Sequence, residues 1–579
     1  MLRITASITG IIAALAVAIQ GSAIPSKSGW WDHDCHIPPS ASWPAATVPT
    51  IRPSCNKVFF TSVLPPEASL ENITAVPEGG SHGEGRANIP YPTNPTNLPA
   101  LCAVTIKVIS SPSSSYRFGL FLPTEWSGRF LAVGNSGFAG GINWLDMAPG
   151  THYGMATVST DTGHNSSTTD SSWALKRPEK KTDWGWRALH GTVVLGKKLT
   201  NAYYNGRGRD IIYSYYSGCS TGGRQALREI QKFPNSFDGI LIGAPTWWTS
   251  HLHNWFTKVG LYNLPNTSSS HIPTPLLQII ADEVVDQCDL ADGVEDGIIS
   301  RPDLCTFNSS VLLCPSNYTA STNGTTTCLT QPQIDTVEKV YSTYYHEDTG
   351  EFIYPGPTLG SEAEWYRIIG NGTPSPYGVG YQRNFLLDNA TWNWASYSDS
   401  LVDLADRIDP GAATADEYDI SAFKSRGGKV ILYHGLADGL VPAKGTELYY
   451  NRTMRLFGGS LTTLENLGNT TEFFRLFLLP GMQHCWGTPA GVDAPWNIGG
   501  AFQAGVMESG LWSVLGFEGS EEHDALVALR KWVEEGREVK QLVATSWKAE
   551  LEVNSGVKRQ RKICAWPGQA VLKGGGWWG

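Results

Sequence analysis

One junction in the chain narrows the fold more than any other feature. Residues 210–218, DIIYSYYSG, read as a short apolar strand, and GGRQALREIQKF reads as a helix that stops at Pro234. Between them lies Gly218-Cys219-Ser220-Thr221-Gly222. A strand that turns at once into a helix needs a tight backbone, and the glycines beside Ser220 permit one. A bare G-x-S-x-G is common by chance. One placed between a strand and a helix presents its serine hydroxyl at the edge of a sheet.

The neighbouring segments fit that sheet. CAVTIKVI and YRFGLFLP read as adjacent strands, RFLAVGNSGF as a strand ending in a glycine-rich loop, and YGMATVSTDTGH as a strand and turn. WRALHGTVVLGKKLTNAYY has helical spacing, and DGILIGAP is the next strand. Strands alternating with helices predict a mostly parallel sheet covered on both faces. The alternation stops at Trp247. Up to about residue 425 the chain is irregular and rich in Thr, Trp and cysteine. Strands resume with GGKVILYHGLADG and FRLFLLPGMQHC, followed by an amphipathic helix near 523–536. The expected architecture is α/β: an α/β-hydrolase fold formed by 24–246 and 425–579, with a lid domain inserted at 247–424. Residues 24–100 read as an arm stapled to the body, and the GGGWWG tail as loose.

The first residues set the compartment. MLRITASITGIIAALAVAIQGSA has a positive start, an apolar stretch and a small-residue exit, which is the pattern of a signal peptide spanning 1–23. A membrane anchor is the weaker alternative, because the apolar stretch is short of a bilayer span. Ten cysteines, an even number, then read as disulfides. Ten N-x-S/T sequons, at Asn72, Asn165, Asn266, Asn308, Asn317, Asn323, Asn371, Asn389, Asn451 and Asn469, suit a secreted glycoprotein. A net charge of −10 argues against a nucleic-acid partner. No membrane association is expected, and the sequence leaves the oligomeric state open.

Serine chemistry needs a base and a carboxylate that orients it. The fold expects them in the order Ser, acid, His. Asp438 follows the strand VILYH, and His484 follows RLFLLP, so both fall at carboxyl ends of strands. His164, His190 and His434 are alternatives for the base. Cys219 precedes the serine and Cys485 follows His484. If Ser220 and His484 lie within hydrogen-bond reach, their neighbours can meet disulfide geometry. The competing reading is two unrelated core cysteines. The oxyanion donors would be the N–H of Thr221 and one from Gly134-Asn135-Ser136-Gly137. Gly137 is the choice there, against a plain glycine turn.

Cys219-Ser220, Asp438 and His484-Cys485, together with GNSGFAGG, STDTGH, DWGWRALH and GAP, resemble the tannase/feruloyl esterase family. The resemblance spans nearly the whole chain after residue 23. It implies a Cys219–Cys485 disulfide, an α/β-hydrolase core with a large lid, and cleavage of esters of hydroxylated aromatic acids such as ferulate or gallate. It also bears on Cys288-Asp289-Leu290-Ala291-Asp292-Gly293-Val294-Glu295-Asp296-Gly297-Ile298. By residues alone this run is a solvated loop or a calcium loop, since calcium takes carboxylate and carbonyl oxygens. Its spacing is not that of an EF-hand. The resemblance implies structural Ca2+, held by the carboxylates of Asp289, Asp292 and Asp296 and the carbonyls of Val294 and Ile298. Cys288–Cys305, Cys314–Cys328 and Cys55–Cys102 follow as further pairs, which leaves Cys35 and Cys564.

The reading is a secreted serine esterase acting through an acyl-enzyme on feruloyl esters of plant cell-wall polysaccharide, xylan among them, or of small alcohols. Within the resembled family, Thr221 and the lack of a basic processing pair in the lid lean towards feruloyl esterase over tannase. Trp247, Trp248, Trp255, Trp365, Trp392 and Trp394 are available to an aromatic pocket. Two readings compete: an inactive carbohydrate-binding wall glycoprotein, and a serine peptidase.

Overall fold

The structure, a computed structural model, describes residues 55–204, 210–316, 327–370, 372–458, 472–507, 519–573 and 576–578. The proposed signal peptide and Cys35 lie outside them.

Seven strands precede the insertion: β1 (Ala68–Val76), β2 (Leu101–Ser111), β3 (Ser114–Pro123), β4 (Arg129–Val133), β5 (Ala156–Thr160), β6 (Tyr213–Cys219) and β7 (Gly239–Gly243). A short hairpin within it supplies β8 (Tyr344–Tyr345) and β9 (Phe352–Tyr354). Then come β10 (Lys429–Gly435), β11 (Phe474–Leu479), β12 (Gln541–Ala549) and β13 (Glu552–Cys564). Nine of these form one sheet in the order β1-β2-β3-β5-β4-β6-β7-β10-β11. The pairs β1–β2, β2–β3 and β3–β5 are antiparallel; from β5 to β11 neighbours run parallel.

The parallel strands are continuous apolar runs because both faces are covered. Alternate residues go to opposite sides. Tyr216, Ile240, Ile242, Val430 and Leu432 join one apolar cluster, and Tyr215, Leu241, Ile431 and Tyr433 join the other. Helices Ala188–Tyr204, Thr221–Lys232 and Ala443–Leu456 cover the first face. Trp144–His152 and Ala525–Glu535 cover the second. Asp524 caps the last of these helices, accepting from the N–H groups of Leu526 and Val527.

Three regions differ from expectation. The arm holds a helix, Lys57–Val63, and the edge strand β1, and Cys55–Cys102 ties it to β2. The insertion is not irregular. Helices Thr249–Tyr262, Thr274–Cys288, Gln331–Tyr341 and Ser400–Ile408 pack around Trp255, Phe256, Ile280, Val340 and Trp365. Its many polar residues face outward and had masked the apolar spacing. In the tail, Gly576–Trp578 pairs with Val571–Lys573 instead of running loose. No helix among the described residues is long and apolar enough to cross a membrane.

The insertion leaves the carboxyl end of β7 and returns into the adjacent parallel strand β10. It therefore sits at the edge of the sheet where β6, β10 and β11 also end. Leu440 and Val441, just beyond Asp438, belong to the insertion's own apolar cluster.

Candidate functional site

β6 ends directly at Ser220, whose φ of +60° and ψ of −123° lie where side chains other than glycine are rare. Its N–H donates to the Gly243 carbonyl at 2.9 Å, and its carbonyl accepts from Arg224 N at 3.1 Å and Thr246 N at 3.2 Å. The surroundings hold the strained turn because three backbone segments meet there. A Cβ at Gly218 would lie 2.8 Å from the Gly222 carbonyl carbon, and one at Gly134 would lie 2.6 Å from Gly222 Cα. No side chain fits at either place.

The carboxyl ends of β10 and β11 are joined by main-chain bonds. Leu436 N donates to Leu479 O at 2.9 Å and Ala437 N to Met482 O at 3.0 Å. A Cβ at Gly435 would sit 2.1 Å from the Met482 carbonyl oxygen. This brings Asp438 and His484 together: His484 Nδ1 lies 2.6 Å from Asp438 Oδ2. Oδ1 accepts from the N–H of Leu440 at 2.9 Å and of Val441 at 2.8 Å. Burial alone would raise the Asp438 pKa. His484 and His434 beside it outweigh burial and hold it well below the usual carboxylate range. With Nδ1 donating to the carboxylate, His484 Nε2 is left to accept; it is buried and makes no hydrogen bond in the protein. Among the described residues no hydrogen bond joins Ser220 to His484 Nε2.

Cys219 and Cys485 are disulfide-bonded, with Cα atoms 6.2 Å apart across 266 residues. Cys288–Cys305 and Cys314–Cys328 are also bonded. Cys564 has no cysteine partner among the described residues.

The loop after β4 approaches the start of the Ser220 helix. Thr221 Oγ1 donates to the Gly137 carbonyl at 2.9 Å. In that loop the N–H groups of Gly134, Asn135, Ser136, Phe138 and Ala139 are taken by Ser217 O, Gln225 Oε1, Tyr91 Oη, Thr168 O and Ser136 O respectively. Gly137, at φ +50°, has no such acceptor, and neither has Thr221 N at the helix start. Among the described residues these two N–H groups therefore have no acceptor.

The other histidines have different duties. His164 packs on Trp173 with its Nε2 2.9 Å from Phe138 O, and burial lowers its pKa to about 4. His190 Nδ1 lies 2.9 Å from Glu229 Oε1. His434 does reach the site, where its Nε2 is 2.9 Å from Asp438 Oδ2. Sequence reasoning missed the insertion's contribution. A Cβ at Gly137 would touch Tyr377 Cε1 at 3.0 Å, and Phe138 stacks on His253. Glu364 Oε2 accepts from Gly439 N at 3.1 Å, beside Asp438. No local signal marks these residues. Trp247, Trp255 and Trp365 are packing residues, each at most 2% exposed.

In the acidic loop, Asp289 accepts from the N–H groups of Asp296, Gly297 and Ile298, which curls the chain around its carboxylate. Asp292 Oδ2 and Asp296 Oδ1 are buried without a partner. Asp296 Oδ2 pairs with Arg559 Nη2 at 2.7 Å. Among the described residues no three His, Cys, Asp or Glu side chains converge as a metal cluster. The orphan carboxylate oxygens fit a hard cation, with carbonyls needed to complete the shell.

Residues 102–578 match the family described as tannase and feruloyl esterase. The chain belongs to that family. It is accordingly a carboxylic ester hydrolase, with an α/β-hydrolase fold. A probable feruloyl esterase B-1 of Aspergillus flavus is 32% identical over 526 residues, covering 90% of this chain and 92% of that protein. The crystal structure of an esterase from Aspergillus oryzae matches with a TM-score of 0.80 at 31% identity, over 91% of this chain and 97% of that one. The structure of feruloyl esterase B from Aspergillus oryzae matches with a TM-score of 0.77 at 31% identity, over 88% and 94%.

Proposed function

We propose that the protein is a secreted serine esterase that releases hydroxycinnamic acids such as ferulate from plant-wall polysaccharide or small alcohols. One observation carries the reading. The His484 imidazole is oriented by Asp438, and a disulfide ties its loop to the turn that bears Ser220.

In this reading Ser220 Oγ attacks the ester carbonyl and His484 Nε2 takes its proton. Asp438 holds the tautomer and stabilises the imidazolium. The N–H groups of Thr221 and Gly137 receive the oxyanion. Collapse expels the alcohol, which takes the proton from His484. Water then resolves the acyl-enzyme by the same route. Residues 247–424 act as the lid, with Tyr377 beside the oxyanion loop. Residues 1–23 would direct export, and the four disulfides suit the extracellular space. Asp289, Asp292 and Asp296, with the Val294 and Ile298 carbonyls, would hold structural Ca2+. Its charge would relieve the repulsion among the loop's acids.

The test is turnover of methyl ferulate, methyl gallate and a peptide panel, with fluorophosphonate labelling of Ser220. Ferulate turnover and a label lost in Ser220→Ala are expected. Preference for gallate would move the reading to tannase. A folded protein that takes no label would leave a binding glycoprotein.

A further inference from the structure

Two imidazoles meet one carboxylate oxygen in this site. His434, the penultimate residue of β10, is fully buried. Its Nε2 lies 2.9 Å from Asp438 Oδ2 and 2.9 Å from the Val441 carbonyl oxygen. Both are acceptors, so Nε2 carries the hydrogen. Its Nδ1 lies 2.7 Å from Thr446 Oγ1, on the helix Ala443–Leu456, and the hydroxyl donates to it when the ring is neutral. The ring is therefore held in one tautomer from both ends.

Asp438 then receives four donors. Two backbone N–H groups fix Oδ1, and His434 and His484 share Oδ2. The two Oδ1 bonds already resist rotation of the carboxylate, and on Oδ2 the His434 bond adds a further restraint. Here any rotation of the carboxylate breaks the His434 bond, which is buried and costly to lose. We propose that His434 is a positioning residue for the hydrolytic reaction, fixing the Asp438 carboxylate towards His484 and drawing off part of its charge; this rests on the triad reading above.

The other titratable and charged groups facing Asp438 are Tyr354 and Arg367, with Glu364 bonded at Gly439. All three come from the insertion, and none changes in the test.

The experiment compares the full-length parent, His434→Gln and His434→Phe by methyl ferulate kinetics across pH, by thermal unfolding, and by the deshielded proton resonance of His484 Nδ1–H. For His434→Phe, kcat should fall about tenfold or more with KM within about twofold. The His484 Nδ1–H resonance should shift, because the carboxylate it meets has lost a donor. His434→Gln retains an N–H donor and should recover most of kcat and the parental resonance. If His434→Phe does not fold, Thr446→Val carries the test: it removes only the hydroxyl that sets the tautomer, and should lower kcat with KM unchanged. A folded His434→Phe or Thr446→Val with parental kcat and parental His484 resonance overturns the inference. So does a loss equal in Gln and Phe that tracks a lowered melting temperature, which would mean packing alone. A parent that turns over no ester and takes no fluorophosphonate defeats the triad reading instead.

Discussion

Cys219 and Cys485 are covalently joined, so the bond anchors the residue before Ser220, which lies at φ +60°, to Cys485, which follows His484 and itself lies at φ +68°. The sulfur link therefore constrains the loops where their conformations are least favourable. In the loop-entropy account a bridge closing so long a loop contributes about 5 kcal/mol. Cys219→Ser with Cys485→Ser should lower the melting temperature. It should also cut kcat by about tenfold or more at temperatures where the variant is still folded, because small misplacements of a base are costly. Parental kcat in the folded double variant would show that packing alone holds the loops.

The glycine contacts beneath the nucleophile allow no side chain. Gly134→Ala places a Cβ 2.5 Å from Tyr216 Oη and 2.6 Å from Gly222 Cα. Overpacking of this kind costs about 1–3 kcal/mol. Thermal unfolding should show the loss, and turnover should fall with it as Ser220 is displaced. An unchanged melting temperature would contradict the close approach.

Thr221 meets the loop after β4 through its hydroxyl, and in the proposed mechanism its N–H also receives the oxyanion. Thr221→Val keeps the helix N–H and removes the bond to the Gly137 carbonyl. If Gly137 N–H stabilises the developing charge, kcat should drop about tenfold or more with little change in KM. A raised KM with parental kcat would point to ground-state binding instead.

Stability should fall as pH rises from mildly acid to neutral. Burial pushes the carboxyls of Asp161 and Glu362 up to about 7 and that of Asp524 up to about 6. In the unfolded chain these groups ionise near pH 4. Between those values the folded state keeps protons that the unfolded state has released, so each added unit of pH favours unfolding. Asp438 has the opposite sign. Its depressed value makes a contribution that is present above its unfolded pKa and lost only as pH falls through the folded value. These carboxyls favour a higher melting temperature near pH 5 than near pH 7.5, partly offset below about pH 6.5 by buried histidines such as His164, whose lowered pKa has the opposite sign. A steady rise over that interval would refute the assignment.

The acidic loop should respond to calcium in the full-length protein. Chelation should lower the melting temperature, and added calcium should restore it. Asp292→Asn should blunt both effects, since Asp292 Oδ2 is one of the two orphan carboxylate oxygens there. A protein indifferent to chelator and calcium would leave Arg559 and Arg561 as the groups that neutralise the loop.

Ser220 was legible because its signal is local. A strand, two glycines and a helix lie within a few residues, and the turn they require is a property of that stretch alone. Asp438 and His484 were legible through the same rule applied twice more, each at the end of an apolar run. The insertion's helices were not legible. Their apolar faces are narrow and interrupted by polar and sequon residues, so the periodic signal is weak. One sequon also changes meaning in the fold: Asn451 lies within a helix with its Oδ1 buried, whereas Asn72, Asn266, Asn308 and Asn389 are exposed.

The order of serine, acid and histidine, the strand ends that carry them and the cysteines beside two of them can be read along the chain in one dimension; that those cysteines pair was implied only by the family resemblance. Three things needed the folded molecule. His434 shares the carboxylate of Asp438, Gly137 N–H has no acceptor among the described residues while its neighbours do, and Tyr377 stands against the loop after β4. Each is a contact or a missing bond set by how β10, the β4 loop and the insertion pack together. Spacing along the chain carries no record of which donor is left over once packing is complete.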